Sequence, residues 1–271
     1  MDAHSTHRRI AIFGATGRTG GATLRSLLRG KASDSLELRL FVRSKSKLLR
    51  EFPHLESHSN VECWEGQLND VQKIKDCLDG ADIIICALGE NSNIPGIRVL
   101  QGLSISIIDA LTELQNDSGS SFKIPRLILL SSSTWHPRFA AMVPAPILWL
   151  IRKAFYYPYF DLRQATSILS NSPELLSLLL VHPPAIVESE PSGVNISTEE
   201  VNLTVAYADL GAGFAELATN PAFDKLEAVG VSSRGGGAYG KYGPEIAWRI
   251  ITGLISGYVP GYWPVRRLLP W

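Results

Sequence analysis

Short runs of Ile, Leu and Val alternate with longer segments of helical periodicity from residue 9 to about residue 232. Seven such runs stand out, at 9–13, 36–42, 61–64, 82–87, 126–131, 176–182 and 226–231. Near-continuous apolar runs separated by amphipathic segments predict a parallel sheet covered on both faces, because strands buried on both sides lose the in–out alternation of a half-exposed sheet. Between the runs, Val71, Ile74 and Leu78 mark one face of a short helix, which Asn69-Asp70 opens and Gly80 closes. Leu100, Leu103, Ile107, Leu111 and Leu114 recur at spacings of three and four, the stripe of a longer helix laid on the sheet. No repeat or Pro/Gly/Ser linker divides the chain. Residues 1–271 therefore read as one α/β domain, a Rossmann-type doubly wound parallel sheet of about seven strands with a small C-terminal substrate-binding part.

Two uncharged segments interrupt the alternation. Residues 139–151 include Pro144 and Pro146, and residues 250–265 end in aromatics and prolines. Both are shorter than the roughly 20 residues of a membrane-spanning helix. They read as core and surface packing, as walls or a lid of an apolar pocket, or as a peripheral membrane contact. The pocket is expected from about residues 133–160, 184–205 and 234–271.

The most informative stretch joins the first run to the first helix: Gly14-Ala-Thr16-Gly17-Arg18-Thr19-Gly20. Glycines at every third position suit a strand that turns sharply, a backbone that approaches a pyrophosphate without an intervening Cβ, and a helix packed close to the strand. The free N–H groups and dipole of the helix start then attract the anion. At the end of the second run, residues 41–47 contain no acid to bind ribose hydroxyls, but offer Arg43 and Ser44 to a 2′-phosphate, with Arg18 expected on the same side. NADP(H) is the expected cofactor. Leu68, in Gln67-Leu68-Asn69-Asp70, falls where a side chain brackets adenine, and Ala87-Leu88-Gly89 offers small, open backbone beside the cofactor.

Composition narrows the partners. The 26 Lys and Arg balance 26 Asp and Glu, so the clustered positive charge of a nucleic-acid binder is missing. A small apolar aromatic substrate, no nucleic acid, no integral membrane segment and a monomer or homodimer are expected. Cys63, Cys77 and Cys86 are an odd number without CxxC spacing, and read as buried reduced thiols. Residues 1–9 lack the apolar core of a signal peptide, which predicts a cytoplasmic protein in which Asn195-Ile-Ser and Asn202-Leu-Thr are chance glycosylation patterns. His54-Leu-Glu56-Ser-His58 matches neither zinc-protease pattern, and no metal is expected.

The glycine turn, Arg43, the Gln67–Asp70 segment and the strand at 127–133 resemble the NmrA-like, atypical branch of the short-chain dehydrogenase/reductase superfamily. Tyr159-Phe-Asp161-Leu-Arg163, Pro183-Pro184 and Tyr207-Ala-Asp209-Leu210 look like a subgroup of fungal NAD(P)-binding oxidoreductases, whose members often belong to polyketide tailoring pathways. The resemblance implies a Rossmann fold, NADP(H) and a hydrophobic small-molecule substrate, with Ser131 and Pro183 beside the nicotinamide. Some NmrA-like proteins sense the nicotinamide pool without turnover.

Ketone reduction leaves an alkoxide, so the site needs a proton donor and a cation to ease its ionisation. The superfamily supplies a Ser and a Tyr-xxx-Lys pair. This chain has Ser133, in Ser131-Ser132-Ser133, and Tyr159 with Arg163 one helical turn on. Arginine in place of lysine keeps the charge but changes its reach. His136 is a second acid–base candidate, and Trp135 a stacking platform for a planar substrate. His182 reads as a core histidine. Three functions stay open: an oxidoreductase on a polyketide-type ketone, quinone or alcohol; a redox-neutral isomerase or epoxide-opening enzyme; and an NADP-binding redox sensor.

Overall fold

A computed structural model describes residues 8–30, 33–237 and 239–268 of the chain. The polar stretch 1–7 and residues 238 and 269–271 of the expected pocket segment lie outside the described residues. The first half runs β1 (Arg8–Phe13), α1 (Arg18–Arg29), β2 (Leu36–Val42), α2 (Lys45–Glu51), β3 (Val61–Glu65), α3 (Val71–Leu78), β4 (Ile83–Cys86), α4 (Val99–Ser118) and β5 (Arg126–Leu130). Next come α5 (Pro137–Ala140), α6 (Ala145–Ala154), α7 (Tyr156–Ser170), β6 (Ser177–His182), β7 (Ala185–Val187), β8 (Val194–Ser197) and β9 (Thr204–Ala206). The chain closes with α8 (Tyr207–Thr219), β10 (Ala228–Ser233), α9 (Tyr239–Tyr258) and α10 (Tyr262–Leu268).

Eight strands form one sheet in the order β3-β2-β1-β4-β5-β6-β10-β8. All seven expected runs are in it and pair in parallel. The eighth strand, β8, is antiparallel to β10 and adds an edge that the apolar pattern does not announce, since its four residues are all half-buried. Asn195, read from sequence only as a glycosylation match, is a ladder residue opposite Ser232. A separate two-stranded sheet pairs β7 with β9, each only three residues long and too short to show a period.

Alternation within the buried strands divides the core. Ile10 and Ile12 of β1 face one cluster with Leu24 of α1 and Leu210 and Phe214 of α8. Ala11 and Phe13 face the other, with Ile74 of α3 and Leu103, Ile107 and Leu111 of α4. A strand buried on both faces needs apolar residues at every position, which explains the unbroken runs. The α1–α8 contact is backbone-close: a Cβ on Gly211 would lie 2.4 Å from the Ala22 carbonyl carbon. Cys77 and Cys86 are buried free thiols, both raised to about 12 chiefly by burial, whereas Cys63 on β3 is only half-buried.

Buried polar side chains cap helices that carry no cap of their own. Both carboxylate oxygens of Asp161 on α7 accept from the Leu100 and Gln101 N–H groups at the start of α4, each at 2.9 Å. Asp209 of α8 holds a loop instead, accepting from Ser192 N at 3.0 Å and Gly193 N at 3.1 Å just before β8. Asn93, with no exposed surface, accepts from Tyr157 N at 2.9 Å to cap α7 and donates to Gly253 O of α9 at 3.0 Å. Asn93→Ala leaves the Tyr157 N–H at the start of α7 without its partner and is expected to cost about 2 kcal/mol of stability. Urea unfolding of the variant measures this, and an unchanged midpoint would remove Asn93 from the cap's support.

Candidate active site

The glycine turn closes at the carboxyl end of β1, beside β4, where the strand order reverses direction. Gly14 has φ of 95°, and a Cβ there would sit 3.0 Å from the Ala87 carbonyl. Gly17 N–H donates to Gly14 O at 2.9 Å, and a Cβ on Gly20 would lie 2.1 Å from that same oxygen. Side-chain capping is absent at the α1 N-terminus, so its first N–H groups, with half-buried Thr16 and buried Thr19 alongside, face outward without an internal acceptor. Such a cradle fits a dinucleotide pyrophosphate.

Beside this turn lies a cavity of about 970 Å³. Arg18, Leu88, Gly89 and Pro183 line it from the cofactor side, and Ser131, Ser132, Ser133 and Thr134 from the end of β5. Tyr159 enters from α7, and Ile246 and Ile250 from α9. Residues 88–94 also line it, a contribution that sequence periodicity misses because the segment has no regular structure. Residues 194–205 instead build β8, a connecting loop and part of β9, so that part of the expected pocket frame is sheet.

Tyr159 is at the centre of the polar contacts. Its hydroxyl is 3.2 Å from Ser132 Oγ, which is 2.8 Å from Thr134 Oγ1. Burial raises the phenol pKa, opposed by the hydrogen bonds from Ser132 and Thr134 and by the charge of Arg152. Ser133, the expected partner, lines the same cavity, but its N–H is tied to Pro183 O at 2.9 Å and the hydroxyl beside Tyr159 is that of Ser132.

Two expected pairings are corrected. Arg163 shares a helix face with Tyr159, yet its exposed guanidinium stacks on Trp135 at 5.0 Å. Arg152, from α6, stacks on the same ring at 4.6 Å and donates to Thr134 O from Nε at 3.1 Å and from Nη2 at 2.6 Å. The cation that acts on Tyr159 is therefore Arg152, which no spacing in the sequence connects to it. Trp135 is occupied by two guanidiniums and an edge contact with Tyr159, rather than open to a substrate. Arg18, expected with Arg43, instead pairs with Glu188 at 2.7 Å and lies 5.4 Å over Tyr207.

His136 packs between Phe139, at 4.4 Å, and His182, at 4.8 Å, off the cavity wall. Burial, and then the charge of Arg138, lower its pKa, and its ring lies among Phe139 and His182 rather than among the residues that line the cavity with Tyr159. His182 is buried as expected: its Nδ1–H donates to Ser132 O at 3.0 Å, and its Nε2 has no partner. Burial pushes its pKa down to about 4. In the unfolded chain a histidine titrates near 6.5. Between these values the unfolded state takes up a proton that the folded state refuses, so His182 stabilises the fold above about pH 6.5 and that contribution is lost as pH falls towards 4. The loss is of order 3 kcal/mol. Urea unfolding at pH 7 and pH 4.5 should show a smaller pH difference in His182→Gln; an identical difference would exclude this histidine as a source.

The other cofactor-side residues are placed at the strand ends. Arg43 is exposed after β2. Ser44 caps α2 by accepting from Lys47 N at 3.2 Å and is 2.9 Å from Ser46 Oγ. Leu68 packs against the α3–α4 side of the core, Ala87 is buried, and Gly89 is open, with nothing within 4 Å of an added Cβ. His54, Glu56 and His58 belong to a 3-10 turn and its ends, with Glu56 paired to Lys45 at 3.1 Å.

A parallel sheet with an uncapped glycine turn at its switch point, opening beside a cavity that holds a buried phenol, defines a dinucleotide-binding α/β protein. The NAD(P)H-binding family profile matches residues 14–221, and the chain belongs to that family. It is 33% identical to averufin oxidase A of Aspergillus flavus over 83% of this chain and 82% of that protein. Oxidoreductase claK of Passalora fulva is 29% identical over 92% of each chain. Among solved structures, a wide-type short-chain dehydrogenase/reductase of Veillonella parvula in complex with NADP has a TM-score of 0.64 at 16% identity, over 85% of this chain and 97% of that one. The protein is thus an NAD(P)-binding oxidoreductase related to these fungal proteins.

Proposed function

We propose that the protein is a cytoplasmic NADP(H)-dependent oxidoreductase acting on an apolar, aromatic polyketide-type ketone, quinone or alcohol. The observation that carries this reading is the Tyr159 hydroxyl, 3.2 Å from Ser132 Oγ, inside the cavity that adjoins the glycine turn. Gly14, Thr16, Gly17, Thr19 and Gly20 would hold the pyrophosphate, and Arg43 with Ser44 the 2′-phosphate. Leu68 would border the adenine, and Ala87, Leu88, Gly89, Ser131 and Pro183 the nicotinamide side, with Arg18 at the cavity rim. When bound, the nicotinamide supplies or accepts the electron pair as hydride.

Tyr159 handles the proton. Because burial keeps its phenol protonated at neutral pH, it suits donation to a carbonyl oxygen as negative charge develops there. The Ser132 hydroxyl, oriented by Thr134, donates to the same oxygen, and Arg152 eases phenolate formation through its charge. Apolar walls from α7 and α9 favour a large aromatic substrate. The name of averufin oxidase A supports a small organic substrate of this kind.

The assay is NADPH consumption with a panel of aromatic ketones and quinones: one NADPH per product formed is expected. A sensor reading draws on one observation, the Arg163 side chain turned onto Trp135, which leaves the Tyr-xxx-Arg pair unassembled. A protein that binds NADP but turns over nothing would establish that second reading. Turnover without any nicotinamide would instead establish a redox-neutral isomerase or epoxide-opening enzyme.

Arg43→Ala is expected to raise the NADP Kd about 10- to 100-fold, because hydrogen bonds to a charged group contribute roughly 1.5–3 kcal/mol, while the NAD Kd stays within about twofold. Calorimetric titration of both nucleotides checks it. Equal wild-type affinities for NADP and NAD would contradict the role given to Arg43.

A further inference from the structure

A second recess, of about 450 Å³, lies at the turn between α9 and α10. Ile94, Pro95, Val259 and Pro260 face it, and none of the described residues that line it is charged. The main cavity, by contrast, carries charge from Arg18, Glu90, Arg249 and Arg266. Ile94, Ser256, Tyr262 and Trp263 line both spaces. A side chain that faces two spaces stands between them, so these four form the partition, and Trp263 is the largest of them.

The chain builds this partition locally and anchors it at long range. Gly261, with φ of 81°, turns α9 into α10 and brings Tyr262 and Trp263 back towards the cavity. Their rings meet edge-on, with centroids 5.2 Å apart. The Trp263 Nε1–H donates to Asn93 O at 3.3 Å, and Asn93 is itself fixed by its bonds to Tyr157 N and Gly253 O. The post is therefore held firmly, while the half-buried indole is tied to it by one long hydrogen bond.

On the proposed reading, the cavity of about 970 Å³ takes the nicotinamide end of the cofactor, beside Leu88, Gly89 and Pro183, as well as the substrate. What is left suits a compact ring system. A longer apolar substituent directed at α10 meets the Trp263 ring, with an uncharged groove behind it. We infer that Trp263 is a specificity-determining residue: its indole closes the cavity towards the groove and limits the length of apolar substituent that the substrate can carry. The inference rests on the reading of the cavity as the site of an apolar carbonyl substrate.

The test compares a methyl- and a hexyl-substituted naphthoquinone on the full chain. Each Kd is measured by calorimetry with oxidised NADP present, which has no hydride to give, and NADPH consumption is followed separately. The wild type should favour the methyl compound. In Trp263→Ala the affinity for the hexyl compound relative to the methyl one should rise by about tenfold or more, because several methylenes leave water for the groove, and kcat/KM should follow. Trp263→Leu keeps an apolar contact for α10 and should move the ratio in the same direction, whereas Trp263→Phe keeps an aromatic ring there and should leave it near the wild-type value. Adding Val259→Asp to Trp263→Ala places a charge in the groove and should cancel the gain. An unchanged ratio in both Trp263→Ala and Trp263→Leu, or a gain that survives Val259→Asp, overturns the inference. A shifted affinity ratio with no NADPH consumption by any variant would support the partition and count against the redox reading alone.

Discussion

Tyr159→Phe is expected to lower kcat on a ketone or quinone by about 100- to 10,000-fold, the range that a positioned general acid contributes. The substitution removes one oxygen from a ring that keeps its edge contact with Trp135, so stability and NADP affinity should change little. Arg163→Ala serves as the discriminating control. Its guanidinium lies on Trp135 and not at the phenol, so a small effect on kcat is expected where a superfamily lysine would be indispensable. Ionisation of a buried phenol is unfavourable, so activity in the reducing direction should persist to higher pH than an ordinary tyrosine would allow. Full activity of Tyr159→Phe would remove the tyrosine from the chemistry.

Gly20→Ala should abolish nucleotide binding. The added Cβ would lie 2.1 Å from Gly14 O and 2.6 Å from Gly14 C, and both contacts are backbone, so no side chain can swing aside. Either α1 withdraws from the β1 turn or the turn distorts, and in both cases the N–H groups at the helix start lose their aim. Overpacking of this kind costs about 1–3 kcal/mol. Calorimetry with NADP and thermal unfolding measure the two effects. Wild-type affinity in this variant would mean that the nucleotide is not held at the turn.

What the chain announces and what it hides follow from range. Strands buried on both faces are mostly apolar, so β1, β4, β5 and β6 were legible as runs, whereas β2 shows an alternation of Leu36, Leu38 and Leu40 with half-buried Glu37 and Arg39 before its apolar end. The glycine turn was legible because its spacing is a local steric demand. β7, β8 and β9 have three or four residues each, too few to show a period. The site itself is less local. Arg152 reaches Thr134 from another helix, and Asn93 and Asp161 cap helices some 60 residues away in sequence, contacts that depend on how α6 and α7 cross. Arg163 illustrates the reverse: sequence spacing sets its helix face, but the neighbouring Trp135 decides where its guanidinium rests.

The reading of this protein as an NADPH-dependent reductase is tested most directly by isotope transfer. The purified full chain would be given NADPH deuterated at both hydrogens of the nicotinamide C4 and an aromatic ketone or quinone, with the product examined by mass spectrometry. One deuterium per product molecule is expected with a ketone, where the label stays on carbon. A product carrying no label from a ketone, or formed equally well without nicotinamide, would contradict it.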